Sequence, residues 1–435
     1  MRILTLGMAA AALLASGCMS PQGAALHDAP AASRSPDVGM ALDPARIDRT
    51  LETMVEEGRV AGASVIIWKD GSEAYFKAAG MADREAEKPF TRDTLVQIFS
   101  MTKPVTGVAL MTLWEQGKFG LDDPLSDHLP QFAALKVADG MDAEGKMMLR
   151  DPARPVTIRD VLRHTAGFTY GGGERPADKA WQRLDPLSAD KSLAEFGALI
   201  PQVPLLYDPG EQWEYSAAVD VQALLVAHFS GMPFDAYVRK AIFEPLGMKD
   251  SSWAPPQDQL ARLAMIYEAA DGAPLSPMDR EVWLTPNFRG KPMRMGGSGI
   301  VSTVDDYLRF ARMLLGEGAL GDTRILKPST VRLMATDHLD PRMTERGWLP
   351  GKGQVGFGFD FAVRIAPPAS AEENAGAVGE FFWDGWPSML FWVDPANDMA
   401  VVFAVQKVPF DMTLHHDIRE AVYGDFVDPR GPDPQ

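Results

Sequence analysis

The first clear helical period is Ile47, Leu51, Met54 and Val55 within "IDRTLETMVEEGRV", where apolar positions three and four apart form one stripe. Next, "AGASVIIWKDGSEAYFKAAGMAD" reads as two strands around the turn Asp70-Gly71. From about 98 to 288 the pattern is mostly helical, cut by Pro and Gly loops, with "VDVQALLVAHFSG" and "FDAYVRKAIFEPLGM" as two clear helices. Past 290, "SGIVSTVDDYLRFARMLLGEG" predicts a short strand and then a helix. Strands return in "QVGFGFDFAVRI", "GEFFWDG", "SMLFWVDP" and "DMAVVFAVQ", and "LHHDIREAVYGDF" predicts a closing helix. There is no internal repeat of fixed period.

Strands at both ends with helices between them predict an α+β fold: an antiparallel sheet flanked by helices, split by a mostly helical inserted domain. The sheet region covers 41–97 and 290–430, the helical region 98–289. Hairpins rather than crossovers make the sheet antiparallel.

The start of the chain differs in kind. Arg2 precedes a short apolar run, Ile3 to Leu14, too short to span a bilayer as a mature helix, and small residues follow. Residues 1–18 are read as an export signal. The ending Ala15-Ser16-Gly17-Cys18 resembles a bacterial lipobox, in which the cysteine is lipidated; an ordinary cleaved signal with an incidental cysteine is the alternative. Residues 19–40, rich in Ala, Pro and Ser, read as a flexible linker, and "DFVDPRGPDPQ" as a frayed tail. The expected location is periplasmic or lipid-anchored, with the anchor as the only membrane contact.

Composition narrows the function. A net charge of −17 without a basic run argues against nucleic acid as a partner. Cys18 is the single cysteine, so the folded part has neither a disulfide nor a cysteine-ligated metal. His415 and His416 are adjacent and point apart on a helix, and no His-Glu-x-x-His lies nearby, so no zinc site is expected. Nothing calls for a cofactor.

The chemistry gathers at "QIFSMTKPVTGVALMTLWEQGK". Ser100 is read as the N-cap of the apolar helix, with Pro104 tolerated in the first turn and Gly117 ending it. Ser100 and Lys103 are one turn apart on one face. A serine needs a base to become a nucleophile, and a lysine serves if burial keeps it neutral. Alone, the spacing is a weak signal, and a serine cap followed by a solvent-facing lysine is the favoured reading.

Two further segments change that balance. "YDPGEQWEYSAAVDVQALL" puts Tyr215 in a turn before an amphipathic helix, and "GEFFWDGWPSMLFWVDP" puts Gly385 in a break between strands. In order, Ser-Met-Thr-Lys, Tyr-Ser-Ala and Trp-Asp-Gly resemble the three motifs of class C β-lactamases, penicillin-binding peptidases and family VIII esterases. "VTIRDVLRHTAGF", "PGEQWEYS", "GGSGIVSTVDDYLRFARMLL" and "FWVDPANDMAVVFAVQ" resemble family segments in the expected order, over roughly 43–410. The resemblance implies the β-lactamase/transpeptidase-like fold and a serine hydrolase. It makes Ser100 the nucleophile, Lys103 its partner and Tyr215 the second base, with a phenolate favoured by the ammonium. It also makes the amides of Ser100 and Trp386 the oxyanion hole, and Trp383, Asp384 and Gly385 the substrate-binding strand.

The sequence departs from the lactamases where they hold a β-lactam. Trp383 stands in place of the lysine that meets the drug's carboxylate, and Ala217 in place of an asparagine. Family VIII esterases resemble it at both places. Asp384, where glycine is usual, is expected to narrow the cleft or repel anions. The expectation is therefore a carboxylesterase for neutral, short-acyl esters, the shared machinery leaving room for weak β-lactam hydrolysis. The alternatives are a β-lactamase or D-amino-acid peptidase of the same fold, or a non-catalytic exported lipoprotein. "GGSGI" at 296–300 fails Gly-x-Ser-x-Gly and is too short for a dinucleotide loop. His164 is read as a structural histidine bonding a loop, and Tyr170 to Gly173 as a mobile rim.

Overall fold

Asp70 and Gly71 take φ of +50° and +76°, the paired left-handed geometry of a two-residue hairpin turn. In the computed structural model, which describes residues 40–269, 273–279 and 292–429, this turn joins β1 (Gly62–Lys69) to β2 (Ser72–Asp83). The segment read as an export signal with Cys18, the expected linker up to residue 39 and the end of the tail lie outside the described residues.

The remaining strands of the main sheet are β3 (Lys88–Pro89), β4 (Val355–Phe357), β5 (Ala362–Arg364), β6 (Phe381–Gly385), β7 (Met389–Asp394) and β8 (Met399–Val405). Their order is β4-β5-β6-β7-β8-β1-β2-β3, every pair antiparallel. The two halves meet where β8 pairs with β1, from Ala63 opposite Val405 to Lys69 opposite Met399.

The helices that matter here are α1 (Pro44–Glu56), α2 (Thr102–Glu115), α3 (Ala218–Ser230), α4 (Val304–Leu315) and α5 (Met412–Tyr423). Asp43 caps α1 by accepting from the Arg46 amide, Pro44 fills the first helical position, and Ile47, Leu51 and Met54 are buried. α1 packs with α5 on the sheet, while α4 lies against β1, β7 and β8. β7 and β8 are accordingly buried on both faces, which is why they read as continuous apolar runs. α2 is apolar all round and buried, packed against α3 at the centre of the molecule. Gly117, at φ +71°, follows its last turn, as expected from the sequence.

Part of the middle region is not helical. Val137–Met141 pairs with Met147–Arg150, and Tyr267–Glu268 pairs with both Ser276–Pro277 and Lys407–Val408. These strands are short, and the first hairpin leaves Met141 and Leu149 exposed, so no alternating burial pattern marks it. "QVGFGFDFAVRI" is likewise two strands, broken where Asp360 takes φ +64°.

Candidate active site

The turn at Ser100 is tighter than a capped helix start. Val96–Gln97 pairs with Val301–Ser302, and a 3-10 turn, Phe99–Met101, leads into α2. Phe99 holds φ +43°, a left-handed backbone that is costly for an aromatic residue and is found where function fixes the chain. Ser100 is therefore not the N-cap: Met101 occupies that place and makes no side-chain cap bond. Freed from capping, the Ser100 Oγ accepts a hydrogen bond from the Lys103 Nζ at 3.1 Å.

Lys103 is only 2% exposed, as the catalytic reading of the spacing requires. Its Nζ also donates to the Gly297 carbonyl at 2.8 Å. Burial lowers its pKa to about 8, against the opposing pull of Asp220, Asp360 and Asp384. Burial thus favours the neutral amine at this position.

Tyr215, in the turn before α3, presents its ring face to the Lys103 amine at 4.5 Å. Burial drives the phenol well above its usual pKa, while the Ser100 hydroxyl and the Trp383 indole pull it partly back. This corrects the expected phenolate. The Lys103 amine lies over the ring, and burial favours the neutral phenol.

Trp383 is also placed differently from expectation. It is 0% exposed and backs Tyr215 instead of lining the cleft, its Nε1–H donating to the Tyr215 oxygen at 3.3 Å. Asp384 neither narrows the cleft nor repels anions, because its buried carboxylate is ion-paired with Lys352. A Cβ on Gly385 would lie 2.5 Å from the Ile98 carbonyl, so glycine there lets β6 close on the nucleophile turn itself. The next residue, Trp386, is 42% exposed and its ring sits 5.3 Å from that of Phe99.

Several site residues were not anticipated. Gly297 brings its carbonyl to Lys103 because a Cβ there would fall 2.8 Å from the Tyr170 hydroxyl and 3.2 Å from Lys103 Nζ. The "GGSG" segment is thus the floor of this site. Its Gly297 amide donates to Asp220 at 3.1 Å, and burial pushes Asp220 up to about 6, with Lys103 and the glycine amides opposing. Asp360 is buried and pushed well above the carboxylate range by burial; one oxygen accepts from Gln222 at 3.1 Å and the other has no partner. An acid inside an apolar helix, as at Asp220, was the available signal.

The remaining expectations resolve locally. His164 accepts from the Ser216 amide at 3.3 Å and packs on Tyr215, and burial keeps it neutral, so it fastens the tyrosine's loop. Tyr170 lies near Lys103, and its glycine run is tied by Gln182, which donates to the Gly171 and Gly173 carbonyls at 2.7 and 3.1 Å, rather than forming a loose rim. His415 and His416 bind two different carbonyls, those of Ser388 and Ala371.

A serine, a buried amine and a phenol converging at a helix entrance beside an antiparallel strand define a class: a serine hydrolase of the β-lactamase fold. The family model described as beta-lactamase matches residues 47–423, and the chain belongs to that family. It is 30% identical to the esterase EstB of Burkholderia gladioli over 87% of this chain and 95% of that protein. It is 28% identical to the lovastatin esterase of Penicillium rubens, over 87% of this chain and 97% of that one. Among solved structures it resembles EstCE1, described as a hydrolase with promiscuous acyltransferase activity, at TM-score 0.73 and 28% identity, covering 87% of this chain and 98% of that chain.

Proposed function

We propose that this protein is a carboxylesterase of the family VIII kind, cleaving neutral short-acyl esters through an acyl-enzyme on Ser100. The observation that carries this reading is the 3.1 Å approach of Lys103 Nζ to Ser100 Oγ with a buried phenol beside them. Ser100 Oγ attacks the ester carbonyl and its proton passes to neutral Lys103. The amides of Ser100 and Trp386 receive the oxyanion, the close approach of Gly385 to Ile98 bringing their segments together. As the intermediate collapses, the bond to the alcohol breaks and the leaving oxygen takes the Tyr215 proton. Water then attacks the acyl carbon and returns a proton to Tyr215, while the Lys103 ammonium reprotonates Ser100 as the acid departs.

The substrate class follows from charge. The position that meets a carboxylate in the lactamases is Trp383, and the cation beside Asp384 is already paired. A β-lactam or free-carboxylate peptide finds no counter-ion there. The reading includes export through residues 1–18, lipidation at Cys18 and a small ester as the partner.

The test uses the protein and its Ser100→Ala variant with p-nitrophenyl butyrate, a chromogenic cephalosporin and a D-alanyl peptide. The variant should lose about ten-thousandfold or more in ester kcat. Equal ester turnover by both proteins overturns the mechanism, and cephalosporin turnover above ester turnover reassigns the enzyme as a β-lactamase.

A further inference from the structure

β6 carries an acid, Asp384, at a place where the reaction needs none. Its partner Lys352 is 3% exposed and closes a 3-10 turn, Leu349–Lys352, far from β6 in sequence. The same ammonium lies 4.9 Å from the centre of the Trp348 ring and 5.1 Å from that of Trp383. One buried ion pair therefore straps the 348–352 turn onto the catalytic strand.

The strap fixes Trp348, which is 49% exposed. Its ring nevertheless stands edge-on to Tyr215 at 5.1 Å and to Trp213 at 5.4 Å. A large ring half open to water beside the reacting phenol suits a surface that substrate covers. The esterase reading, on which this inference rests, assigns the side. Tyr215 protonates the leaving oxygen, so the alcohol portion lies toward Tyr215, under Trp348.

We propose that Trp348 determines specificity for the leaving alcohol, taking one with a flat aromatic face, and that Lys352 and Asp384 are positioning residues that hold it. Aromatic walls accept such a group in stacked or edge-on contact. A small alkyl alcohol leaves the ring uncovered.

The experiment keeps the acyl group constant and varies the alcohol: kcat and KM for 1-naphthyl acetate and ethyl acetate, each variant compared with wild type on the same ester. Trp348→Ala should lose at least tenfold more kcat/KM on the naphthyl ester than on the ethyl ester, mainly through KM. Trp348→Phe should recover most of that difference. Lys352→Met should show the same bias more weakly, and Lys352→Arg should restore it by keeping a cation against Asp384. Equal losses on the two esters overturn the proposal, as does a loss carried by kcat alone. If Lys352→Met fails to fold, the half-exposed Trp348 variants decide alone. Ser100→Ala in the same assay separates the two ideas, because turnover persisting there sinks the esterase reading itself.

Discussion

Two of the buried-charge groups among the described residues are built in opposite ways. Behind the sheet, Glu380 accepts from Arg364 at 2.9 Å, from Arg419 at 2.9 and 3.1 Å, and from the Tyr423 hydroxyl at 3.0 Å. Arg419 also lies over the rings of Phe382 and Trp392. At the active site, Lys103 is held by a hydroxyl and a carbonyl, and Asp220 and Asp360 act on it through space. Burial costs an unpaired charge far more than a paired one. The first group joins its charges by direct bonds, although Arg364 Nη1 and Arg419 Nη2 have no partner, and it ties α5 to the sheet. The second holds its amine by a hydroxyl and a carbonyl without a direct ion pair, and burial lowers the pKa of Lys103, as the proposed base would need.

Breaking the two groups should separate activity from stability. Lys103→Met should lower ester kcat by about ten-thousandfold or more with the melting temperature held, since it removes the base while leaving an apolar stem. Glu380→Ala should do the reverse, costing about 3–5 kcal/mol of stability by leaving two arginines buried without their partner, as read by urea unfolding. A Glu380 variant that loses activity while keeping its unfolding midpoint would collapse the distinction.

Smaller effects sharpen it. Gly297→Ala puts a methyl 2.8 Å from the Tyr170 hydroxyl and 3.2 Å from Lys103 Nζ. Displacing the amine by a fraction of this distance should lower kcat about a hundredfold with little change in KM. The acid limb of kcat/KM should rise with pH toward about 8, because the proposed mechanism uses the neutral form of Lys103. Asp220→Asn removes a carboxylate that holds the Lys103 proton, so that limb should move to lower pH. A limb that stays fixed would show that another group sets it.

The two regions were unequally legible in the sequence. Ser100, Lys103 and Tyr215 were legible through the resemblance of Ser-Met-Thr-Lys and Tyr-Ser-Ala to the family motifs, because the Ser-x-x-Lys spacing alone is a weak signal. The split sheet was legible because β1, β7 and β8 are strong apolar runs. Asp220, Gly297 and Asp360 matter only through contacts between segments far apart in the chain, which no local pattern encodes. Asp384 shows the same limit most plainly. Beside Trp383 it reads as a repelling acid, and only the fold brings Lys352 to neutralise it. Ser100 failed for a subtler reason: a serine before an apolar helix looks like a cap unless the left-handed Phe99 is visible.

The pairing of β1 with β8 carries a consequence for when activity can begin. Strand partners from opposite ends of the chain close a very long loop, and such contacts form late. The nucleophile turn follows directly from the first hairpin, yet the strand that seals it, β6, belongs to the other half. A nascent or truncated chain thus carries Ser100 and Lys103 in sequence without the walls that desolvate the amine. On the proposed mechanism, a chain without β6 to β8 should therefore be inactive even though it contains Ser100 and Lys103.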